Sequence, residues 1–319
     1  MQFKNTTCRE QAPFIWTSLD AKSFWYAVFL FFFTSTVLIL NQKIWHYPPV
    51  NYFTPGIDIL FFFLALCTLG LLLTQGTKSR LTAFFAYLTT YHTILLLVLY
   101  FTLAIQLTPF QPIDKTLLKM DLALHYPAAK ILDFLWHHES IKSTLEYIYN
   151  FIGVELFFLP IYLIAFGHYY RMKQFFYFLL STLSLGYVFY YFFPTMAPAS
   201  VIASPYFSLD QFNTGLKFEQ IHHHFQATSD LGGMISMPSF HILWALICQI
   251  STKDTKFLWY LLWPITIGIM VSCVVLGWHY LVDLFGSLIA LAIAQYLTNP
   301  KAYQFELKSL QFIFRRNLN

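Results

Sequence analysis

Residues 277–297 read GWHYLVDLFGSLIALAIAQYL, and this run decides the fold. After Asp283 it carries no charged side chain, and it is long enough to cross a bilayer at about 20 residues per helical span. An isolated strand in hydrocarbon would leave its backbone groups unpaired, so the run reads as a helix. Seven similar runs precede it, at about 23–40, 56–74, 82–106, 147–167, 174–193, 236–252 and 257–277. The chain is therefore read as all-α: a polytopic membrane helix bundle of about eight transmembrane helices.

Composition agrees with that reading. Hydrophobic residues make up 57% of the chain, aromatics 20% and charged residues only 11%, with a mean hydropathy of +0.56. Such a chain cannot surround a soluble core with a charged surface. The net charge of +4 does not signal nucleic acid, because the basic residues fall in short segments between apolar runs. With the N-terminus on the inner side, the outer segments hold Lys43, Lys115, Lys119, Lys130, Lys142 and Lys217. The other 13 of the 19 Lys and Arg lie inside. The first run is too long for a cleaved secretory signal and reads as a retained span. Cys8, Cys67, Cys248 and Cys273 show no metal-ligand spacing, so neither a disulfide framework nor a structural metal is expected.

Two outer segments exceed simple connectors. In 108–146, Asp114, Lys119, Asp121 and Asp133 alternate with leucines and aromatics, a pattern of short amphipathic helices lying on the membrane. The segment 194–235 carries Pro194, Pro198, Pro205, Gly232 and Gly233 and reads as a loop. Its run His222, His223 and His224 is read as a solvated loop feature rather than a metal site.

His279 and Asp283 stand four apart at the head of the last run, the spacing that puts two side chains on one helix face. The carboxylate can hold one ring nitrogen and leave the other free to attack. The sequence MPSFH, 237–241, opens an earlier run on the same side, with His241 in its first turn behind Pro238 and Ser239. A helix N-terminus there is a seat for phosphate. Taken alone, the His279–Asp283 pair serves packing as readily as catalysis, and isolated histidines such as His46, His92, His125 and His168 default to interfacial or packing roles. Two independent motifs on one membrane side favour a site. Glu155 is expected to face the bundle interior, with no partner assigned.

At these residues the chain resembles the type 2 phosphatidic acid phosphatase superfamily. MPSFH and GWHYLVD are similar to its second and third motifs, P-S-G-H and S-R-x5-H-x3-D, with Pro238, Ser239, His241, His279 and Asp283 matching position by position. Phe240 replaces the glycine of the second motif, Ser272 and Cys273 stand where serine and arginine open the third, and the first motif, K-x6-R-P, is absent. In its place is FPTMAP, 193–198, which resembles the F-P-x-A-P-P of the branch that makes phosphosphingolipids, including inositol phosphorylceramide synthases. The segments DKTLLKMDLAL and YIYN also look like that branch.

The resemblance implies a catalytic core of six helices, residues 81–298, after two extra helices in 1–80 and before a basic tail, 299–319. It implies His279 as nucleophile, Asp283 as its orienting carboxylate and His241 as general acid and base, with Ser239 and Lys217 as candidate phosphate contacts and no metal or other cofactor. The expected activity is a lipid phosphotransferase or phosphodiesterase, with a membrane phospholipid donor and a lipid alcohol or water as acceptor. The setting is a bacterial inner membrane with the site facing the periplasm, or an organelle lumen in a eukaryote. Three alternatives stay open: a lipid phosphate or polyprenyl pyrophosphate phosphatase, a transporter or scramblase without chemistry, and a hydrolase holding metal on the same three residues.

Overall fold

The computed structural model describes residues 18–48, 56–229 and 237–298. Lys4, Cys8, Arg9, Gly232, Gly233 and the tail 299–319 lie outside the described residues. Among the described residues the chain forms eleven α-helices and no strand. They are α1 (Ala21–Leu40), α2 (Ile57–Gln75), α3 (Arg80–Ile105), α4 (Asp114–Ala123), α5 (Ala128–Trp136), α6 (Glu139–Ala165), α7 (Tyr169–Phe192), α8 (Leu209–His222), α9 (Phe240–Ser251), α10 (Lys256–Val275) and α11 (Leu281–Thr298). Seven of them, α1, α2, α3, α6, α7, α10 and α11, are long and apolar enough to cross a membrane. Leu66 and Leu73 on α2 and Phe157 and Phe158 on α6 face outward, as lipid-facing side chains do. The chain is a polytopic helical membrane bundle.

The eighth expected span is shorter than its sequence suggests. Of the run 236–252 only 12 residues are helical, because Ser239 caps α9 by accepting from the Ile242 N–H at 3.5 Å. That length falls well short of the roughly 20 residues a lipid-exposed span needs. The deficit is tolerable because α9 packs against α6, α7, α10 and α11, and Ile242, Leu243, Ala245, Ile247 and Cys248 are wholly buried. A helix enclosed by protein does not have to match the hydrocarbon thickness. α2 is the opposite case. Among the described helices it packs only on α3, where His92 donates from Nε2 to the Ile57 carbonyl at 2.7 Å.

Phe240, the residue that replaces glycine in the second motif, has a complementary glycine across the interface. A Cβ at Gly186 of α7 would lie 2.7 Å from Phe240 Cζ, and the ring is held between Tyr187 and Trp244. Gly186→Ala is expected to lower stability by about 1–3 kcal/mol through overpacking. Thermal unfolding in detergent checks this, and Gly186→Ala combined with Phe240→Leu should recover most of the loss.

One end of the bundle gathers α4, α5 and α8 with the N-termini of α6, α9 and α11; at the other end Arg171 forks onto Asp254. Both outer segments differ from expectation. α4 and α5 are short helices, but α4 turns Asp114 and Asp121 inward and leaves Met120 and Leu122 outside. Its inward face is polar because those carboxylates bind backbone elsewhere. The second segment contains α8, which begins in a capping box between Ser208 and Gln211. The proline-rich start hides a helix that its own S-x-x-Q signal marks. His222 closes α8, with Nε2 placed 2.6 Å from the Thr108 carbonyl, so it stitches α8 to the end of α3.

Candidate active site

The local chain path brings the two motifs together. Gly277 takes φ +77°, and a Cβ there would lie 2.7 Å from Phe207, so both the turn and the packing call for glycine. That turn releases the chain from α10 and presents His279 before α11 begins at Leu281. His279 and Asp283 therefore meet across the entry to the helix, not on one helix face as the spacing suggests. His279 Nδ1 lies 3.0 Å from Asp283 Oδ2, and the Tyr280 N–H donates to the same oxygen at 3.1 Å. A carboxylate oxygen accepts, so Nδ1 carries the proton. Nε2 then presents its lone pair, and the Ser239 hydroxyl sits 3.0 Å from it. All three side chains are buried.

Ser239 is thus both the cap of α9 and the neighbour of the free imidazole nitrogen. Its own N–H donates to Ser287 Oγ at 2.9 Å, and Ser287 Oγ donates to the Asp283 carbonyl at 2.7 Å, tying α9 to α11. His241, half-buried on the next turn, has its ring 6.5 Å from that of His279. It stacks on Tyr149 at 4.4 Å, and Tyr149 stacks on Trp278 at 5.6 Å. Tyr149 and Trp278 form one wall of a cavity of about 300 Å³ under α5, α6 and α8. Cys273, at the family's arginine position, is buried at the end of α10, and its carbonyl accepts the His279 N–H at 3.0 Å. The position adjoins the dyad, but its side chain is not a cation.

Not every expected residue joins this group. Lys217 is buried on α8, where it lines a pocket of about 10 Å³ with Gln106, Tyr190 and Thr195, and none of the three motif residues lines that pocket. The space is too small for a phosphate. Glu155 faces inward beside the Cys248 thiol, with neither carboxyl oxygen bonded to nitrogen or oxygen.

Sequence reasoning missed the two carboxylates that hold the site's frame. Asp121 accepts the Leu281 and Val282 N–H groups at 2.9 and 3.0 Å, capping α11 from another helix. Asp114 accepts the Met196 and Ala197 N–H groups at 2.9 and 3.1 Å and the Tyr280 hydroxyl at 2.8 Å. It joins FPTMAP to the residue after His279, and it holds Ala197 at φ +98°, a conformation alanine rarely adopts. The readable signal was spacing: positions 114 and 121 lie two turns apart and share one face of α4.

Burial raises both carboxyls above the ordinary range. The Asp114 carboxyl goes from 3.8 to about 6, with its hydrogen bonds from Met196, Tyr280 and Ala197 opposing the rise. A carboxyl raised on folding contributes stability that is complete below about pH 4 and lost as pH rises through about 6. The melting temperature of Asp114→Asn relative to wild type should therefore climb by about 2–6 °C between pH 4 and pH 7. A pH-independent difference would contradict the burial argument.

A family model described as the PAP2 superfamily matches residues 115–297. The chain belongs to the PAP2 superfamily. Searches of curated proteins and of solved structures return no match. Membership assigns phosphatase or phosphotransferase chemistry on lipid phosphates. The PAP2 match covers both histidine motifs and α4 from its second residue onward.

Proposed function

We propose that the protein is an integral membrane phosphotransferase or phosphodiesterase acting on a phospholipid head group, in the phosphosphingolipid-making branch of the PAP2 superfamily. The observation that carries this reading is the pairing of a buried His279–Asp283 dyad with a cysteine, Cys273, where the family places arginine. A phosphate monoester dianion needs more positive charge than this site supplies. Each missing charge-assisted contact costs on the order of 2–4 kcal/mol of transition-state stabilisation. A diester carries one negative charge and is served by the N–H groups at the head of α9.

In the first step, Nε2 of His279 attacks phosphorus while the bond to the departing alcohol oxygen breaks. His241 gives that oxygen a proton, and Asp283 balances the positive charge on the imidazole. In the second, His241 takes the proton of an incoming lipid alcohol or water, whose oxygen displaces His279. Ser239 must turn its hydroxyl from Nε2 to the phosphate as substrate enters. The charge asymmetry of the sequence supports placing this end of the bundle on the periplasmic or lumenal side.

The test is thin-layer analysis of purified protein supplied with labelled ceramide or diacylglycerol and a phospholipid donor. A new phospholipid band supports transfer. Inorganic phosphate released from a monoester lipid, with no transfer product, would replace this reading with a phosphatase.

A further inference from the structure

The cavity walled by Tyr149 and Trp278 has a chemistry of its own. Two stacked aromatic pairs line it, Tyr149 with Trp278 at 5.6 Å and Trp136 with Tyr206 at 5.3 Å. Two carboxylates also line it, Glu146 from α6 and Asp210 from the first turn of α8. Among the described residues the one cation in the lining is Lys142, and it is already committed. Its ammonium lies 3.7 Å from Glu139 and 3.8 Å from Glu146. Asp210 has no ion-pair partner among the described residues, so the cavity carries an excess negative charge. Lys142 also places its ammonium 5.4 Å over the Trp136 ring, so this wall already receives one alkylammonium.

From this we infer that the cavity is the head-group subsite and that it takes an alkylammonium, so that the donor is a zwitterionic phospholipid of the choline or ethanolamine type. The inference rests on the activity proposed above and names its substrate class. A cation recognised jointly by aromatic faces and a carboxylate suits these walls, whereas an anionic head group would meet repulsion from Asp210 and Glu146. The same choice answers the missing arginine. A head group with its own ammonium brings to the site a positive charge that the chain does not supply. Tyr149 links the cavity to the site, since it lines the one and stacks on His241 of the other, and Trp278, also in the lining, immediately precedes His279 in the chain.

The experiment uses full-length protein in nanodiscs and follows intrinsic tryptophan fluorescence as choline chloride is added, against sodium chloride and myo-inositol. Saturable quenching by choline is expected, with Kd raised about tenfold in Asp210→Asn and restored in Asp210→Glu. His279→Ala should bind choline as wild type does, since binding precedes chemistry. Turnover is then compared on vesicles of phosphatidylcholine, phosphatidylethanolamine and phosphatidylinositol. Binding of inositol in place of choline, or of neither, overturns the subsite, as does a preference for phosphatidylinositol that Asp210→Asn leaves unchanged. Choline binding that responds to Asp210, together with no turnover of any phospholipid, supports the subsite while sinking the proposed activity on which its role depends.

Discussion

His279→Ala is expected to abolish turnover, with a fall of about 10⁴-fold or more, because in the proposed first step the attack on phosphorus comes from Nε2 of His279. The variant leaves the buried Asp283 with only the Tyr280 N–H, at a cost of about 1–3 kcal/mol in stability, small enough for the bundle to persist. His279→Gln keeps a hydrogen-bonding side chain and serves as the control should the alanine variant express poorly. The decisive readout is covalent. Wild-type protein incubated with head-group-labelled phospholipid and denatured in base retains an acid-labile label, and neither variant does. Retained turnover in both variants would rule out a phosphohistidine.

Asp283→Asn separates charge from orientation. Oδ2 of Asp283 accepts two hydrogens, from His279 Nδ1 and the Tyr280 N–H, and an asparagine carbonyl can take both. The imidazole therefore keeps its tautomer and its aim, while the negative charge that steadies it after attack is gone. The expected result is a drop in kcat of about 10²–10⁴-fold with KM nearly unchanged. A comparable rise in KM with unaltered kcat would assign the carboxylate to substrate binding instead.

What the sequence made legible follows from range. Long apolar runs report the membrane helices because bilayer thickness sets a length that needs no knowledge of neighbours. The His279–Asp283 pair was visible because its partners are four residues apart, although the chain joins them at a helix entry and not along a helix. α9 was overextended because hydropathy does not distinguish an apolar residue facing lipid from Pro238, Ser239 and their surroundings facing protein. Lys217 reads as a candidate phosphate contact because nothing near it in sequence announces that α8 turns it inward to a small pocket of its own. Asp114 and Asp121 were hardest, since their partners lie about 80 and 160 residues away and acidic side chains in an outer segment ordinarily point to water.

Those two aspartates bear on what the smallest working piece of this protein is. The stretch recognised as PAP2 starts at residue 115, one position after Asp114. A fragment cut at that boundary would contain every motif residue and lack the carboxylate that fastens FPTMAP to the neighbour of His279. The sequence signature and the cooperative unit that builds the site thus have different edges, and the second reaches upstream at least to the residue that opens α4.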